Sequence, residues 1–245
     1  MSRRGRLSDG AAGLNMKQKA DEGTRQSYSQ KALVYLREQI INGNLPPQEK
    51  LVENDIASAL GISRGPVRDA LKQLAIEGLV DYQPNKGCTV ALLSPKDAYE
   101  VFFLRGNLEK LALQKGGCHI NDQGIFIMET ALEEMQALAG TGNTLKEVNA
   151  DERFHRQIIL SSQIDRLIQM WELLSPLNGA MFLTVQATNR KIPGHIRDLA
   201  SPHRRMLESI RRGDLAAACQ ALDDHYVRTG ENIYRMSQMG DLSGI

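Results

Sequence analysis

The break Gly61-Ile62-Ser63 constrains the fold more than any other stretch of this chain. Before it, Ile56, Ala57 and Leu60 recur at helical spacing. Gly61 suits a left-handed helix exit, and Ser63 suits the N-cap of a second helix. Pro66 fits the first turn of that helix, where N–H groups lack intrahelical partners anyway. Val67, Leu71, Leu74 and Ala75 form its apolar stripe, and Arg64, Arg68 and Lys72 repeat every four residues on another. Asp69 and Glu77 are the opposing charges. Beyond Gly78, the stretches 79–82 and 88–92 flank a turn at Pro84-Asn85-Lys86-Gly87. That is the order of a helix-turn-helix with a β wing. A helix that opens on exposed arginines can enter the major groove and set its first residues against base edges. Charges at this spacing also suit a plain solvated face. Their occurrence together with the turn and the wing selects the nucleic-acid reading.

Net charge is only +1, so the protein is no polycation. Residues 26–93 carry seven Lys/Arg and seven Asp/Glu, so DNA affinity must come from positive groups sharing one face. The Arg64/Arg68/Lys72 stripe and Lys86 on the wing supply that face. Modest affinity per monomer predicts a homodimer. The length of 245 residues predicts two domains. No apolar run approaches membrane-spanning length, and the charged N-terminus lacks an apolar signal core, so a cytoplasmic protein is expected. Cys88, Cys118 and Cys219 lie far apart, form no CxxC pair, and suit a reducing compartment.

Residues 1–25 are rich in Gly, Ser and charge, which predicts a disordered tail; its Arg3, Arg4 and Arg6 read as tail rather than contact. Residues 29–43 predict an amphipathic helix burying Leu33, Leu36, Ile40 and Ile41, ended by Asn42-Gly43 and a rigid Leu45-Pro46-Pro47 exit. The stretch INGNLPPQEKLVENDIASALGISRGPVRDALKQLAIEGLVDYQPNKGCTVALLS resembles the winged helix of the GntR family of bacterial transcription regulators. Gln48 stands where the family's first motif has Gly, and Asp69 where its second has Glu. The resemblance implies that Arg64 and Arg68 read bases, that Ser63, Gly65 and Pro66 contact the backbone, and that Asn85, Lys86 and Gly87 form the wing tip. Asn54 departs from the family's Arg, which puts one further DNA contact in doubt.

Residues 94–240 read as a second, all-helical domain. Ser94-Pro95 starts a helix with a broad apolar face of Tyr99, Phe102, Phe103, Leu108 and Leu111, stopped at Gly116-Gly117. Further helices are expected near 121–139, 144–162, 164–188, 196–212 and 214–238, with Pro176 kinking or splitting the fourth of the six. The predicted fold is therefore mainly α: a winged helix-turn-helix over 26–93 and a helical bundle over 94–240.

Asp151 and His155 fall on one helix face at i, i+4, and His203 and His225 lie further along. One carboxylate and three imidazoles suit a first-row ion such as Zn, Ni, Fe or Mn. By spacing alone, such an Asp-x-x-x-His pair is more often a surface hydrogen bond or helix ion pair. His119 and His195 fit no such pattern. The pieces Leu104-Arg105 to Leu108-Glu109, DERFH at 151–155, PHRRMLESIRRGD at 202–214 and DHY at 224–226 resemble the FCD-type ligand-binding domain of the FadR-like branch of the same family. The resemblance implies that Asp151, His155, His203 and His225 hold a divalent metal and that a small organic acid binds over it. Gln163 replaces the Asn common there. Arg105 has two open roles, gripping an effector carboxylate or pairing with Glu109 one turn away. The expected function is a DNA-binding transcription regulator, in the repressor arrangement, binding a double-stranded operator under control of a small organic or sugar acid. The alternatives are a metal-dependent enzyme acting on a carboxylate, for which no general base or nucleophile is evident, and a ligand-blind DNA-binding dimer with a structural metal.

Overall fold

The computed structural model describes residues 26–83, 87–189 and 198–238. Helix α1 (26–41) buries Ala32, Leu33, Leu36, Ile40 and Ile41, as its spacing predicts. Helix α2 (Glu53–Leu60) ends at Gly61 with φ 64°, the left-handed exit expected there. Helix α3 (Arg64–Ile76) follows at once; Ser63 holds the N-cap position in extended backbone, but its hydroxyl makes no capping bond. Val67, Ala70, Leu71 and Leu74 form the buried stripe of α3, while Ile76, beyond it, is 67 % exposed. Strands β1 (Val80–Gln83) and β2 (Gly87–Val90) make the antiparallel wing, in the register Val80↔Val90 to Gln83↔Gly87. Residues 48–51 add a ragged third edge through Gln48 N→Val90 O (2.9 Å), Val90 N→Glu49 O (2.9 Å) and Leu51 N→Cys88 O (2.8 Å).

The remaining helices are α4 (Pro95–Gly116), α5 (Asp122–Leu138), α6 (Thr144–Leu160), α7 (Asp165–Leu174), α8 (Asn178–Asn189), α9 (Ala200–Arg211), α10 (Leu215–Leu222) and α11 (Arg228–Gln238). Ser94 caps α4 through Asp97 N, and Gly117 closes it with φ 61°. Pro176 splits the predicted 164–188 segment: a 3₁₀ turn, Ser175–Leu177, separates α7 from α8. The last predicted helix is interrupted by a π turn, Asp223–Val227, which periodicity alone does not reveal.

The broad apolar face expected on α4 is a correction. Phe103 and Leu111 are 44 % and 39 % exposed. The inward face instead carries Ala98, Val101, Phe102, Arg105, Gly106, Glu109, Ala112 and Leu113. Two ionisable groups therefore stand where apolar spacing would place core. Gly106 lets the chain of the π turn approach closely, since a Cβ there would lie 3.0 Å from Tyr226 Cβ.

The apolar core under the winged head runs on into the bundle. Ile41, Leu79 and their neighbours form one cluster with Val148 of α6 and Ala180, Phe182 and Leu183 of α8. A second cluster fills the bundle around Phe154, Ile158, Met206 and Tyr226.

Candidate metal centre and nucleic-acid interface

Helix α6 delivers Asp151 and His155 from adjacent turns of its inward face. His203 comes from the first turn of α9, and His225 from the π turn. The four residues can each offer one ligand atom, all within 4.8 Å of one another. Asp151, His155 and His203 are buried, and His225 is partly so.

Hydrogen bonds fix which nitrogens face the middle. His155 Nδ1 lies 2.7 Å from Glu109 Oε2, and His203 Nδ1 lies 2.7 Å from the Leu199 carbonyl. Both acceptors require a proton on Nδ1, which in the neutral ring leaves each Nε2 a lone pair. Those Nε2 atoms face each other at 3.0 Å. Asp151 Oδ1 stands 3.1 Å from His203 Nε2 and 3.7 Å from His155 Nε2, with no well-directed hydrogen bond of its own. Electron pairs converging this closely in a dry site repel one another unless a cation or proton lies between them. The donor set thus fits a divalent ion.

The electrostatics favour a positive charge, ion or proton, at the centre of this cluster. Burial opposes the charge on Asp151, yet the His155, His203 and His225 imidazoles hold its carboxyl well below the usual carboxylate range. Burial and the His203 and His155 rings push His225 well below its ordinary value, keeping it neutral. Burial also lowers His155, but the Glu109 and Asp151 carboxylates outweigh it and raise the group.

A buried polar layer surrounds the cluster. Glu109 Oε1 accepts from Trp171 Nε1 (2.8 Å) and from the Tyr226 hydroxyl (3.0 Å). Burial pushes the Tyr226 phenol well up, so it stays a donor. Arg105 lies 4.5 Å over the Trp171 ring, donates through Nε to Tyr226 OH (3.3 Å), and pairs through Nη2 with Glu152 Oε2 (3.2 Å). Its Nη1 has no partner among the described residues, although the side chain is fully buried. Asn178, opening α8, donates to Asp151 Oδ2 at 3.2 Å.

On the head, Arg64, Arg68 and Lys72 line the outer face of α3. Arg68 is held by Glu53 of α2 in a two-pronged ion pair, Nε–Oε1 2.9 Å and Nη2–Oε2 2.7 Å. Glu77 turns inward instead and takes both prongs of Arg37, at 2.8 and 2.5 Å. Glu77 is thereby withdrawn from the outer face, while Glu53 remains paired with Arg68 on it.

Residues 29–90 match the bacterial regulatory proteins of the gntR family, and residues 100–228 match the FCD domain. The chain belongs to the GntR family and carries an FCD domain. Among relatives of this GntR regulator, the "Uncharacterized HTH-type transcriptional regulator YdhC" of Bacillus subtilis (strain 168) is 25 % identical, covering 84 % of this chain and 90 % of that protein. The "Probable D-xylose utilization operon transcriptional repressor" of Paenarthrobacter nicotinovorans is 28 % identical over 82 % of this chain and 87 % of its own. The solved structure of E. coli McbR/YncC shares the fold at TM-score 0.65 and 21 % identity, covering 86 % of this chain and 98 % of that one. The protein is a DNA-binding transcription regulator, not an enzyme; its family binds operators. No helix among the described residues is long and apolar enough to cross a membrane.

Within this regulator the expected residues divide clearly. Asp151, His155, His203 and His225 come together. Ser63, Arg64 and Arg68 are exposed, Gly65 is partly exposed, and Pro66 is buried in the head. Gly87 opens β2, while Pro84, Asn85 and Lys86 of the wing tip, the tail 1–25, and His195 lie outside the described residues. Arg105 pairs with Glu152 rather than Glu109, because Glu109 is already committed to His155, Trp171 and Tyr226. Trp171 and Asn178 escape sequence reasoning, and Tyr226 enters it only as part of the DHY piece at 224–226. The one available signal was that the chain's single tryptophan lies in a helix facing an Arg-x-x-x-Glu pair.

Proposed function

We propose that this regulator is a homodimeric repressor whose operator affinity is set by a small organic or sugar acid bound over a divalent transition ion in the FCD bundle. Zn, Ni, Fe or Mn fits the donor set. Asp151, His155, His203 and His225 hold the ion, and the ion supplies a positive anchor for an acid. Residues 26–93 form the operator-binding unit, 94–240 the effector and dimerisation unit, and 1–25 a tail. The carrying observation is the convergence of two Nε2 lone pairs and an unpartnered Asp151 oxygen in one buried place. The unpartnered Arg105 Nη1 nearby supports a carboxylate ligand, since a guanidinium is the natural partner of a carboxylate. Exposed Leu104 and Leu111, one heptad apart on α4, together with Met170 and Leu173 on α7, support a second copy of the chain against the bundle. The relative named as a D-xylose utilization operon transcriptional repressor supports repression.

On DNA, Arg64 and Arg68 read base edges from α3. Ser63 and Gly65 lie against the backbone, with Pro66 packed into the head behind them, and Asn85, Lys86 and Gly87 form the wing tip. Thermal melting of chelator-stripped and Zn²⁺-loaded protein against a panel of organic and sugar acids tests the effector half. Ligands of the folded state raise the melting point by mass action. A shift that needs both acid and Zn²⁺, and that weakens operator binding in titrations, is the expected result. Acid shifts indifferent to Zn²⁺ would detach the effector from the metal cluster.

A further inference from the structure

We propose that Glu109 is the positioning residue of the metal centre: it fixes the proton of His155 on Nδ1 and so keeps the Nε2 lone pair turned to the ion. This rests on the metal reading above. Glu109 is fully buried, and its carboxylate accepts three hydrogen bonds. Two of them, from Trp171 Nε1 and Tyr226 OH, converge on Oε1. Oε2 is left with one partner, His155 Nδ1, at 2.7 Å. The carboxylate is thus clamped by two fixed donors and presents its remaining oxygen as an acceptor. His203 needs no such group, because the Leu199 carbonyl does the same for its Nδ1. Carboxylate partners of this kind hold ring orientation and raise ligand basicity, and their loss commonly costs about 10–100-fold in metal affinity.

The discriminating variant is Glu109→Gln. Glutamine keeps the volume and one carbonyl for Trp171 and Tyr226, but turns an N–H donor toward His155. Donor against donor drives the imidazole to carry its proton on Nε2, which removes the lone pair. Zn²⁺ affinity, read by competition with a chromophoric chelator, should fall about 10–100-fold. Trp171→Phe and Tyr226→Phe each delete one clamp without reversing the bond to His155, so they should weaken Zn²⁺ by only a few-fold. Equal losses in all three variants would reduce Glu109 to packing, and unchanged affinity in Glu109→Gln would overturn the proposal. Imidazole ¹⁵N shifts of the wild type give a measurement independent of any variant's folding: His155 should carry its proton on Nδ1 in the Zn²⁺-loaded protein, and a proton on Nε2 overturns the assignment. Wild-type protein that binds no Zn²⁺ would sink the metal reading itself, a different failure from tight Zn²⁺ binding that ignores Glu109.

A separate set of contacts carries a second inference. The structure assigns the coupling between metal centre and DNA head to the seam where α6 and α8 meet α1, rather than to residues 91–94, which join β2 to α4. Asn42, just past α1, accepts from Leu145 N at 3.0 Å and so caps the helix that bears Asp151 and His155. Asn178 holds Asp151 from the first turn of α8, and the next residue, Gly179, meets the head: a Cβ there would lie 2.8 Å from Ile41 Cδ1. A cavity of about 250 Å³ lies along this seam, lined by Arg37 and Glu77 from the head and Glu152 and Asn178 from the bundle. Glu152 also pairs with Arg105 beside the metal cluster, so one side chain borders both places. Two discrete settings of this seam would be biased by whatever fills the centre.

The test compares operator affinity with Zn²⁺ and with chelator, for wild type, Asn42→Ala and Gly179→Ala. Neither substituted residue touches the metal ligands. The wild type should show an affinity ratio in the range of about 5–150-fold. Both variants should bind Zn²⁺ as wild type does while that ratio shrinks toward one. A wild-type ratio of one, or full ratios in both variants, would overturn the assignment. Lost Zn²⁺ binding in Gly179→Ala would overturn the separation of seam from site.

Discussion

The head and the bundle solve opposite problems with the same residue types. In the head, functional charges are contiguous in sequence and exposed on one face of α3. Their backbone is set by a turn whose glycine has φ 64°. In the bundle, the candidate ligands span 151–225, arise from three separate elements, and sit in a buried layer with Arg105, Glu109, Trp171 and Tyr226. An exposed site needs only a scaffold. A buried polar site needs every group answered, because an unpaired buried charge is costly. The difference predicts that the bundle centre is far less tolerant of substitution than the DNA face.

The sharpest way to break that comparison is His155→Ala. The imidazole touches Glu109, His203 and Asp151 at once. Its loss removes a ligand and leaves Glu109 a buried carboxylate short of a donor. Zn²⁺ affinity should fall by more than the roughly 100-fold that outer partners carry. Equilibrium chelator competition measures this, and a loss under tenfold would show that the centre does not depend on His155.

Gly106→Ala comes next and probes the approach of helix to π turn. The new methyl would press on Tyr226 Cβ at 3.0 Å, one residue from His225. Alanine favours an exposed helix interior by up to about 1 kcal/mol, but overpacking costs roughly 1–3 kcal/mol. We expect a net loss of stability together with about tenfold weaker Zn²⁺ binding, as His225 is carried outward. A stabilised variant with unchanged Zn²⁺ affinity would show that the π turn yields without disturbing its histidine.

On the DNA face, smaller and separable effects are expected. Arg64→Ala should cost about 1–3 kcal/mol and relax base preference at one operator position. Arg68→Ala should cost less, because Arg68 must leave its two-pronged pair with Glu53 to reach a base. Glu53→Gln should then strengthen operator binding by freeing it. Binding titrations against an operator and its single-base variants order the three. Equal losses for the two arginines would mean that the pair with Glu53 does not restrain Arg68 on DNA.

How much of this was legible in the sequence follows from the same contrast. The winged helix was readable because its signals are local: Gly61, Ser63, the α3 stripe and the turn before Gly87 all fall within residues 61–87. The four candidate ligands were legible as a set only through resemblance, since spacing alone leaves Asp151 and His155 as an ordinary i, i+4 pair. Arg105 and Glu109 misled the reading of α4 for a physical reason. They occupy its inward face, which makes the helix look weakly amphipathic and shifts the apparent apolar stripe onto exposed Phe103 and Leu111. The π turn was invisible because one widened turn changes register without changing composition.

The smallest predicted effect concerns two departures from the family pattern that share one cause. Gln48 and Gln163 both sit at positive φ, 70° and 54°. Gln48 stands where the resembling motif has Gly, and Gln163 where Asn is common; both of those residues enter the left-handed region at low cost. Gln48 is also the residue whose N–H reaches Val90 O at 2.9 Å, so its backbone is held in place by the wing. Gln48→Gly should relieve the strain while restoring some unfolded-chain freedom, for a net gain of roughly 0.5–1 kcal/mol. For a chain of this size that is about 1–4 °C in melting temperature. Gln163→Asn should gain less, since asparagine only partly escapes the side-chain penalty that glycine avoids. A drop in melting temperature for Gln48→Gly would mean that the glutamine side chain earns its place through contacts that outweigh its backbone cost. The head would then be less like an open scaffold, and closer to the bundle, than its exposed face implies.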